Sequence, residues 1–217
     1  MSRSKSEIAH KFHVLSPVEV DKCLMNLTDT QHRAIFLLMT DLGMTTVEML
    51  GEDGDEGVKG LYIQDINSIT HTMTVRYRFK KEDRIMTRLV PMTPTSFNGV
   101  TDFLASKKLD YDDKGKIFSI TDRMVRHFLS GLENDTKIDK PLDTATLRRT
   151  AIVNMLLGGL KRQEIEKRLG FLRPQEEQVI ILSAYFMPSM IDFERVAQNF
   201  MYQNIGAMAN ASSGNKY

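Results

Sequence analysis

The run Leu147-Arg148-Arg149-Thr150-Ala151 is followed by Leu156-Leu157-Gly158-Gly159 and by Arg168-Leu169-Gly170-Phe171. From Thr144 onward the pattern predicts helices, interrupted where glycine and proline recur. The breaks are at Gly158-Gly159 and from Gly170 to Pro174. A guanidinium has a planar fork of donors that suits a phosphate, so Arg148 and Arg149 are candidate contacts to a DNA backbone. The alternative is an ion-paired or solvated helix face.

Bulk composition indicates an ordinary globular protein. The 217 residues carry a formal net charge of +1, with 26% charged and 41% hydrophobic residues. Because the total charge is near zero, affinity for nucleic acid has to come from local clusters of basic residues. This length suits one sizeable core. We expect a flexible arm at 1–15, a single domain at 16–209 and a polar tail at 210–217.

Cysteine use and hydropathy favour a cytoplasmic, nucleoid-associated protein without a metal or cofactor. Cys23 is the one cysteine, so the chain forms no internal disulfide and has no zinc signature. No apolar run reaches the roughly 20 residues that span a bilayer, so no membrane partner is expected. The acidic run 52–57 predicts a loop. A calcium site there is the alternative, although the run lacks the closing glutamate of an EF-hand.

The order of elements predicts a mainly helical α+β fold with a small antiparallel sheet. Capping residues and apolar periodicity place helices first, strands next, and helices again. The helices expected before the sheet run from Ser16 to about Asn26, from Thr28 to Gly43 and from Thr45 to Leu50; strands follow at 61–69, 72–79 and 84–90, and helices at 91–106 and 119–132.

The turn between the last two strands is Lys80-Lys81-Glu82-Asp83, and both flanking strands carry arginines. Basic residues on a hairpin can grip phosphates. A plain solvent-facing hairpin is the alternative, since the two acidic residues dilute the charge. The basic ribbon consists of Arg76, Arg78, Lys80, Lys81, Arg84 and Arg88.

Residues 28–182 resemble the catalytic domain of tyrosine recombinases, the phage integrase family, element by element and in order. Leu27–Gln31 resembles the opening helix, and Asp41–Leu50 resembles the first box, usually Thr-Gly-Leu-Arg-Ile-Ser-Glu-Leu. The segments 65–66, 75–76 and 90–92 resemble the sheet, whose hairpin carries the family's active-site lysine. Residues 147–150 and Leu169-Gly170 resemble the second box and the Leu-Gly-His element.

The residues that carry the family's chemistry are mostly replaced. Thr45 stands for the first arginine, Ala145 for the histidine, Phe171 for the Leu-Gly-His histidine and Ile180 for the nucleophilic tyrosine. Arg148 is retained. The resemblance therefore implies a DNA-binding protein without catalytic residues: a sequence-selective regulator or accessory factor of a mobile element. The enzymatic alternative is an atypical recombinase that uses Tyr185 or Tyr202 as a displaced nucleophile.

The segment 160–171 also looks like the first helix and turn of a helix-turn-helix, with a recognition helix starting near Arg173-Pro174-Gln175. This would make the protein a regulator of unrelated fold, again with double-stranded DNA as partner. The candidate contacts in this segment are Lys161, Arg162, Arg173 and Gln175.

A last helix is expected at 189–207, with Phe193 and Phe200 on one apolar face. In the resembled family the C-terminal helix commonly docks into a neighbouring subunit, so the resemblance implies a homo-oligomer. Packing back on its own domain is the alternative. The same face would serve a protein-interaction module that had kept the fold without DNA binding.

Overall fold

The computed structural model describes residues 13–52, 57–79 and 82–186, without the side chains of residues 175 and 182–186. This part of the chain is mainly helical with a small antiparallel sheet, as expected. The helices are α1 (Pro17–Asn26), α2 (Thr30–Leu42), α3 (Thr46–Leu50), α4 (Pro94–Ser106), α5 (Asp122–Thr136), α6 (Thr144–Leu157), α7 (Arg162–Leu169) and α8 (Pro174–Phe186); the strands are β1 (Ile66–Asn67), β2 (Thr72–Phe79) and β3 (Arg84–Pro91).

Side-chain caps begin the first helices, close to where the sequence predicts them. Ser16 and Glu19 form a capping box at α1, and Asp29 accepts a hydrogen bond from the backbone N–H of His32 at 2.8 Å to begin α2. Gly43 ends α2 at φ +66°. A Cβ at this position would lie 2.6 Å from a methyl carbon of Leu169, so both the backbone angle and the space require glycine.

The sheet has the order β1-β2-β3, and β2 pairs with β3 in an antiparallel register from Thr72↔Pro91 to Phe79↔Arg84. The expected hairpin is confirmed. The first strand is much shorter than the predicted 61–69, because local side-chain bonds turn the backbone. The carboxylate of Asp65 accepts from the N–H of Tyr62 at 2.8 Å, and Asn67 caps the turn that follows.

The main core surrounds α2, which packs against α4 and α6. Every residue of α2 from Ala34 to Leu42 is buried. Two neighbouring helices cover both sides of α2, which explains why its burial extends beyond one stripe. Cys23 of α1 is fully buried in the same core.

A second, smaller apolar cluster joins the C-terminal half of α6 to α7 and α8. It is separate from the main core, and its buried members are Ala151, Ile152, Met155, Ile165, Leu169 and Val179. Among the side chains that the structure describes, those that join α7 and α8 to the rest of the protein through apolar contacts belong to this cluster. No helix among the described residues is both long and apolar enough to cross a membrane.

Candidate functional site

Arg148 lies inside the protein, where α6, α8 and the end of α2 meet. It is 1% exposed. Its Nε donates to Glu176 Oε1 at 2.8 Å and its Nη2 to the carbonyl oxygen of Phe171 at 3.1 Å, while Nη1 donates to the carbonyl oxygen of Gly43. The expectation of an outward-facing phosphate contact needs correction here, because in this arrangement protein atoms engage all three nitrogens.

Arg149 is also turned inward, against expectation. Its Nε donates to the carbonyl oxygen of His13 at 3.1 Å and its Nη2 to Thr146 Oγ1 at 3.0 Å. Burial lowers the pKa of this guanidinium below its ordinary value. These bonds tie α6 to the segment that precedes α1, so Arg149 has a structural role in place of an exposed, DNA-facing one.

Glu48 and Arg88 form the other half of the same buried cluster. Arg88 Nη1 lies 2.6 Å from Glu48 Oε1, and Arg148 Nη1 lies 4.0 Å from Glu48 Oε2. Arg88 Nε donates to the carbonyl oxygen of Arg168 at 2.6 Å. Glu48, Arg88, Arg148 and Glu176 together are called the charge network below. It links α3, β3, α6 and α8.

Aromatic rings cover both guanidinium groups. Arg88 lies 5.0 Å from the ring centroid of Tyr77, and Arg148 lies 5.4 Å from that of Phe171. Such contacts partly compensate the loss of water around a buried cation. Two guanidiniums face two carboxylates, so the network is electrically neutral, as buried charges require.

Sequence reasoning missed the network because Arg88 was assigned to the exposed ribbon. On β3 the residues alternate, with Arg88 and Val90 buried and Thr87 and Leu89 exposed. The period of two is the signal that could have placed Arg88 on the inner face. The burial of Glu48 is visible only in the tertiary structure, because its position in a short helix does not show which residues cover it.

Thr45, at the position of the family's first arginine, caps α3. Its Oγ1 accepts from the N–H of Glu48 at 3.3 Å, and its own N–H donates to Glu48 Oε2 at 2.7 Å. Glu48 thus serves a capping box and the charge network together. Phe171 sits over Arg148, and Ile180 is partly buried against the second apolar cluster.

The other arginines of the basic ribbon are ion-paired. Arg76 makes two hydrogen bonds to Asp65, at 2.6 and 2.7 Å, and these raise its pKa. Arg78 contacts Asp83 at 2.8 Å and Glu52 at 3.3 Å. The exposed Arg84 lies 2.7 Å from Glu82. Lys80 and Lys81 lie outside the described residues.

The segment proposed as a helix-turn-helix does form two helices, α7 and α8. Lys161 is exposed at the start of α7, and Arg162 is paired with Glu177 at 2.8 Å. Arg173 is half-exposed, 3.8 Å from Glu176. The side chain of Gln175 lies outside the described part. Of the two glutamates in the first turn of α8, Glu176 is buried against Arg148 and Glu177 pairs with Arg162.

An exposed basic face on α5 was missing from the sequence-based candidates. Val125, Leu129 and Leu132 are buried, whereas Arg123, Arg126 and His127 are exposed at the spacing of one helix face. Arg126 is ion-paired with Asp122 one turn earlier. The helical periodicity of this segment was the signal, because it turns these side chains away from the buried residues.

Some predictions concern residues outside the described part of the chain. The helix expected at 189–207, with Tyr202 and the proposed oligomer contact, lies outside the described residues. So does most of the acidic loop, at 53–56. Tyr185 belongs to α8, but its side chain is not described. In the described ranges, no group of three or more His, Cys, Asp or Glu side chains is placed to hold a metal ion.

Comparison with solved structures confirms the expected fold, that of the tyrosine recombinase catalytic domain. XerA recombinase matches with a TM-score of 0.61 at 19% identity, over 79% of this chain and 59% of that one. The integrase from mycobacterium phage Brujita matches with a TM-score of 0.53 at 16% identity, over 76% and 52%. Tn1549 transposon integrase, in complex with circular intermediate DNA, matches at 0.52 and 12%, over 74% and 58%.

These identities are low, so the likeness concerns the fold. The chain spans between about half and three-fifths of the three solved structures. No family model matches the sequence, and no curated protein does. The fold of this domain is therefore shared with recombinases and integrases.

Proposed function

We propose that this protein binds double-stranded DNA sequence-selectively without cleaving it, as a regulator or accessory factor of a mobile element. The observation that carries the proposal is the buried charge network, in which Arg148 is engaged by Glu176 and two carbonyl oxygens. The shared fold supports DNA as the partner, because XerH recombinase with the same fold was solved bound to its difH substrate.

The chemistry argues against strand cleavage. Attack of a tyrosine on a phosphodiester needs a nucleophile, groups that hold the nonbridging oxygens as charge develops, and an acid for the leaving oxygen. Thr45, Ala145, Phe171 and Ile180 supply none of these at the matching positions. Loss of one such oxygen-binding donor alone costs about 3 to 4 kcal/mol of transition-state stabilisation in enzymes that use oxyanion holes.

The proposed contact surface consists of exposed basic residues, some of them in surface ion pairs, together with the two hairpin lysines. Phosphate contacts fix a protein on the duplex, and base contacts add selectivity. On the exposed face of α5, Arg123 and Arg126 are suited to phosphates, and Lys161 at the start of α7 is a further exposed cation. The surface also includes the hairpin lysines Lys80 and Lys81, Arg84 and Arg173.

Gel retardation at a series of salt concentrations tests the proposal, with duplex fragments from the genomic neighbourhood of the coding sequence. We expect retention at low salt and a steep loss as salt rises, because each phosphate contact contributes about 0.9 to the logarithmic slope for duplex DNA. The double variant Arg123→Gln, Lys161→Gln should reduce that slope by about 2. Lys22→Gln, an exposed site on α1, is the matched control and should leave it unchanged.

No retention of any fragment at low salt would contradict the proposal. The enzymatic alternative is tested in parallel with a nicked suicide substrate, on which an active recombinase becomes trapped covalently. We expect no adduct. An adduct that is lost in Tyr185→Phe or Tyr202→Phe would show that the protein cleaves DNA through a displaced nucleophile.

A further inference from the structure

We propose that the outer side of α1 is a docking surface for a second copy of this chain, and that the two α1 helices pair in parallel about a two-fold axis. The contact is made by Val18, Asp21, Lys22 and Met25. None of these residues belongs to the surface proposed for DNA, so this inference and the proposed function are tested independently.

Two large apolar side chains stand exposed on the outer side of α1. Val18 is 76% exposed and Met25 is 82% exposed. They are about two helical turns apart, so they lie one above the other on the same helix face, and they are called the ridge below. Val20 and Cys23 are buried on the opposite face. Single exposed apolar residues are ordinary on a protein surface, whereas two that align on one helix face suit coverage by another helix.

Opposite charges flank the ridge. Because successive residues of a helix are rotated by about 100°, Lys22 lies about 50° to one side of the ridge and Asp21 about 50° to the other. Both side chains are exposed, and neither has an ion-pair partner among the described residues. Adjacent positions on a helix do not face each other, so these two charges do not pair within α1. Glu19, three positions before Lys22, is engaged by Lys140 Nζ at 2.6 Å.

The arrangement of these charges selects a second copy in parallel orientation. A two-fold axis parallel to α1 places the Lys22 side of one helix against the Asp21 side of the other, at nearly the same height. Two ion pairs then flank the axis, while Val18 and Met25 each meet their own counterpart. An antiparallel pair would bring Lys22 to Lys22 and Asp21 to Asp21, and such like-charge contacts are unfavourable. The surface is therefore complementary to itself in the parallel arrangement.

The size of the contact determines its strength. α1 has 10 residues, and a helix of that length is about 15 Å long. A single pair of such helices buries less than the roughly 1,200 Å² at which stable complexes begin. We therefore expect a weak, reversible dimer with a Kd on the order of 0.1 mM. Its flanking ion pairs are exposed, so the dimer should weaken further as salt rises.

Disulfide trapping in the full chain tests the orientation. In the parallel pair the two copies of residue 25 face each other, within the Cα separation of about 4.4 to 6.8 Å that a disulfide spans. We expect Met25→Cys to form a covalent dimer under mild oxidation, seen on a non-reducing gel. The native Cys23 is fully buried and does not compete. Ile69→Cys, at an apolar residue of the β1–β2 turn that is 91% exposed, is the matched control and should stay monomeric.

Two outcomes of the trapping experiment contradict the inference. Equal yields of covalent dimer from Met25→Cys and Ile69→Cys would mean that the disulfide reports random collisions. More dimer from a mixture of Val18→Cys and Met25→Cys than from either variant alone would mean that the helices pair in the antiparallel direction.

Sedimentation equilibrium at low salt tests the charges without a covalent bond. Lys22→Glu places two acidic residues on each helix, and we expect its Kd to rise about tenfold or more because like charges then meet. The exchange variant Asp21→Lys, Lys22→Asp keeps opposite charges in contact and should dimerise like wild type. A wild-type protein that stays monomeric at about 1 mM, or the same Kd for Lys22→Glu and the exchange variant, would overturn the inference.

Thiol labelling distinguishes a second copy from a cover provided by the same chain, such as the apolar segment 189–207. At micromolar concentration a dimer of this strength is dissociated, so Met25→Cys should react with iodoacetamide as fast as Ile69→Cys does. At millimolar concentration its labelling should slow while that of Ile69→Cys stays constant. Slow labelling of Met25→Cys at both concentrations would show that another part of the same chain covers the ridge, and would exclude the second copy.

Discussion

The role that the sequence suggests for Arg148 differs from the role that the structure gives it. In the sequence it stands beside Arg149 in an otherwise uncharged helix, which is consistent with a phosphate contact. In the fold, α6 is covered on several sides, and the guanidinium is surrounded by Glu176, Glu48 and carbonyl oxygens. Its hydrogen bonds are therefore needed for the packing of α8 against α6.

The structural role of Arg148 predicts a large effect of its removal. Arg148→Ala leaves Glu176 buried without its partner and removes a positive charge from a neutral network. We expect the free energy of unfolding to fall by about 3 to 5 kcal/mol, measured by urea denaturation. Arg84→Ala, which breaks an exposed pair, should change it by less than about 1 kcal/mol. Similar effects of the two changes would contradict the buried arrangement.

Asp41 predicts a pH-dependent stability. The residue is fully buried, and desolvation raises its pKa from 3.8 to about 7, although Thr93 donates to its carboxylate at 2.7 Å. The folded protein thus holds the proton more tightly than the unfolded chain, so stability is highest below the unfolded pKa and falls as pH rises towards 7.

Asp41→Asn should remove this decline. At about pH 4 the variant and wild type should unfold at similar urea concentrations, and at about pH 8 the variant should be more stable by roughly 1 to 4 kcal/mol. Urea denaturation at both pH values measures the difference. A variant that is less stable at high pH than at low pH to the same extent as wild type would contradict the assignment.

At the scale of secondary-structure elements, local chemistry explains most boundaries. Residues that cap a helix act through neighbours three positions away, so the starts of α1 and α2 are visible in the sequence. The first strand was predicted too long because Asp65 and Asn67 bond to the nearby backbone, and alternation of apolar residues does not reveal that competition.

The cap of α3 gives a prediction for an element. Thr45→Ala removes the acceptor for the N–H of Glu48 and loosens the residue that pairs with Arg88. We expect a loss of about 1 kcal/mol in the free energy of unfolding, measured by urea denaturation. Thr45→Ser keeps the acceptor and should stay close to wild type. Equal destabilisation by alanine and serine would show that the cap contributes nothing.

The whole molecule combines a large core around α2 with the small cluster that holds α7 and α8. Cys23 belongs to the large core, where burial, with the nearby charge of Glu19, raises the pKa of its thiol to about 12. The thiolate is the reactive form, so the folded protein protects this residue in two ways.

Cys23 therefore reports unfolding of the main core. We expect no labelling by a thiol reagent such as iodoacetamide in the native protein at neutral pH. Labelling should rise with urea along the same curve as the loss of helical circular dichroism. Mass spectrometry measures the modified fraction. Rapid labelling without urea would mean that α1 opens independently of the core.

The chain's local patterns established the helices, the hairpin and the likeness to a recombinase catalytic domain, because caps, periodicity and motif spacing are short-range properties. They did not reveal that Arg88, Arg148, Glu48 and Glu176 meet. These residues come from four elements separated by up to 128 positions in the chain. Burial and charge pairing depend on how those elements pack, so the candidate site emerged from tertiary contacts.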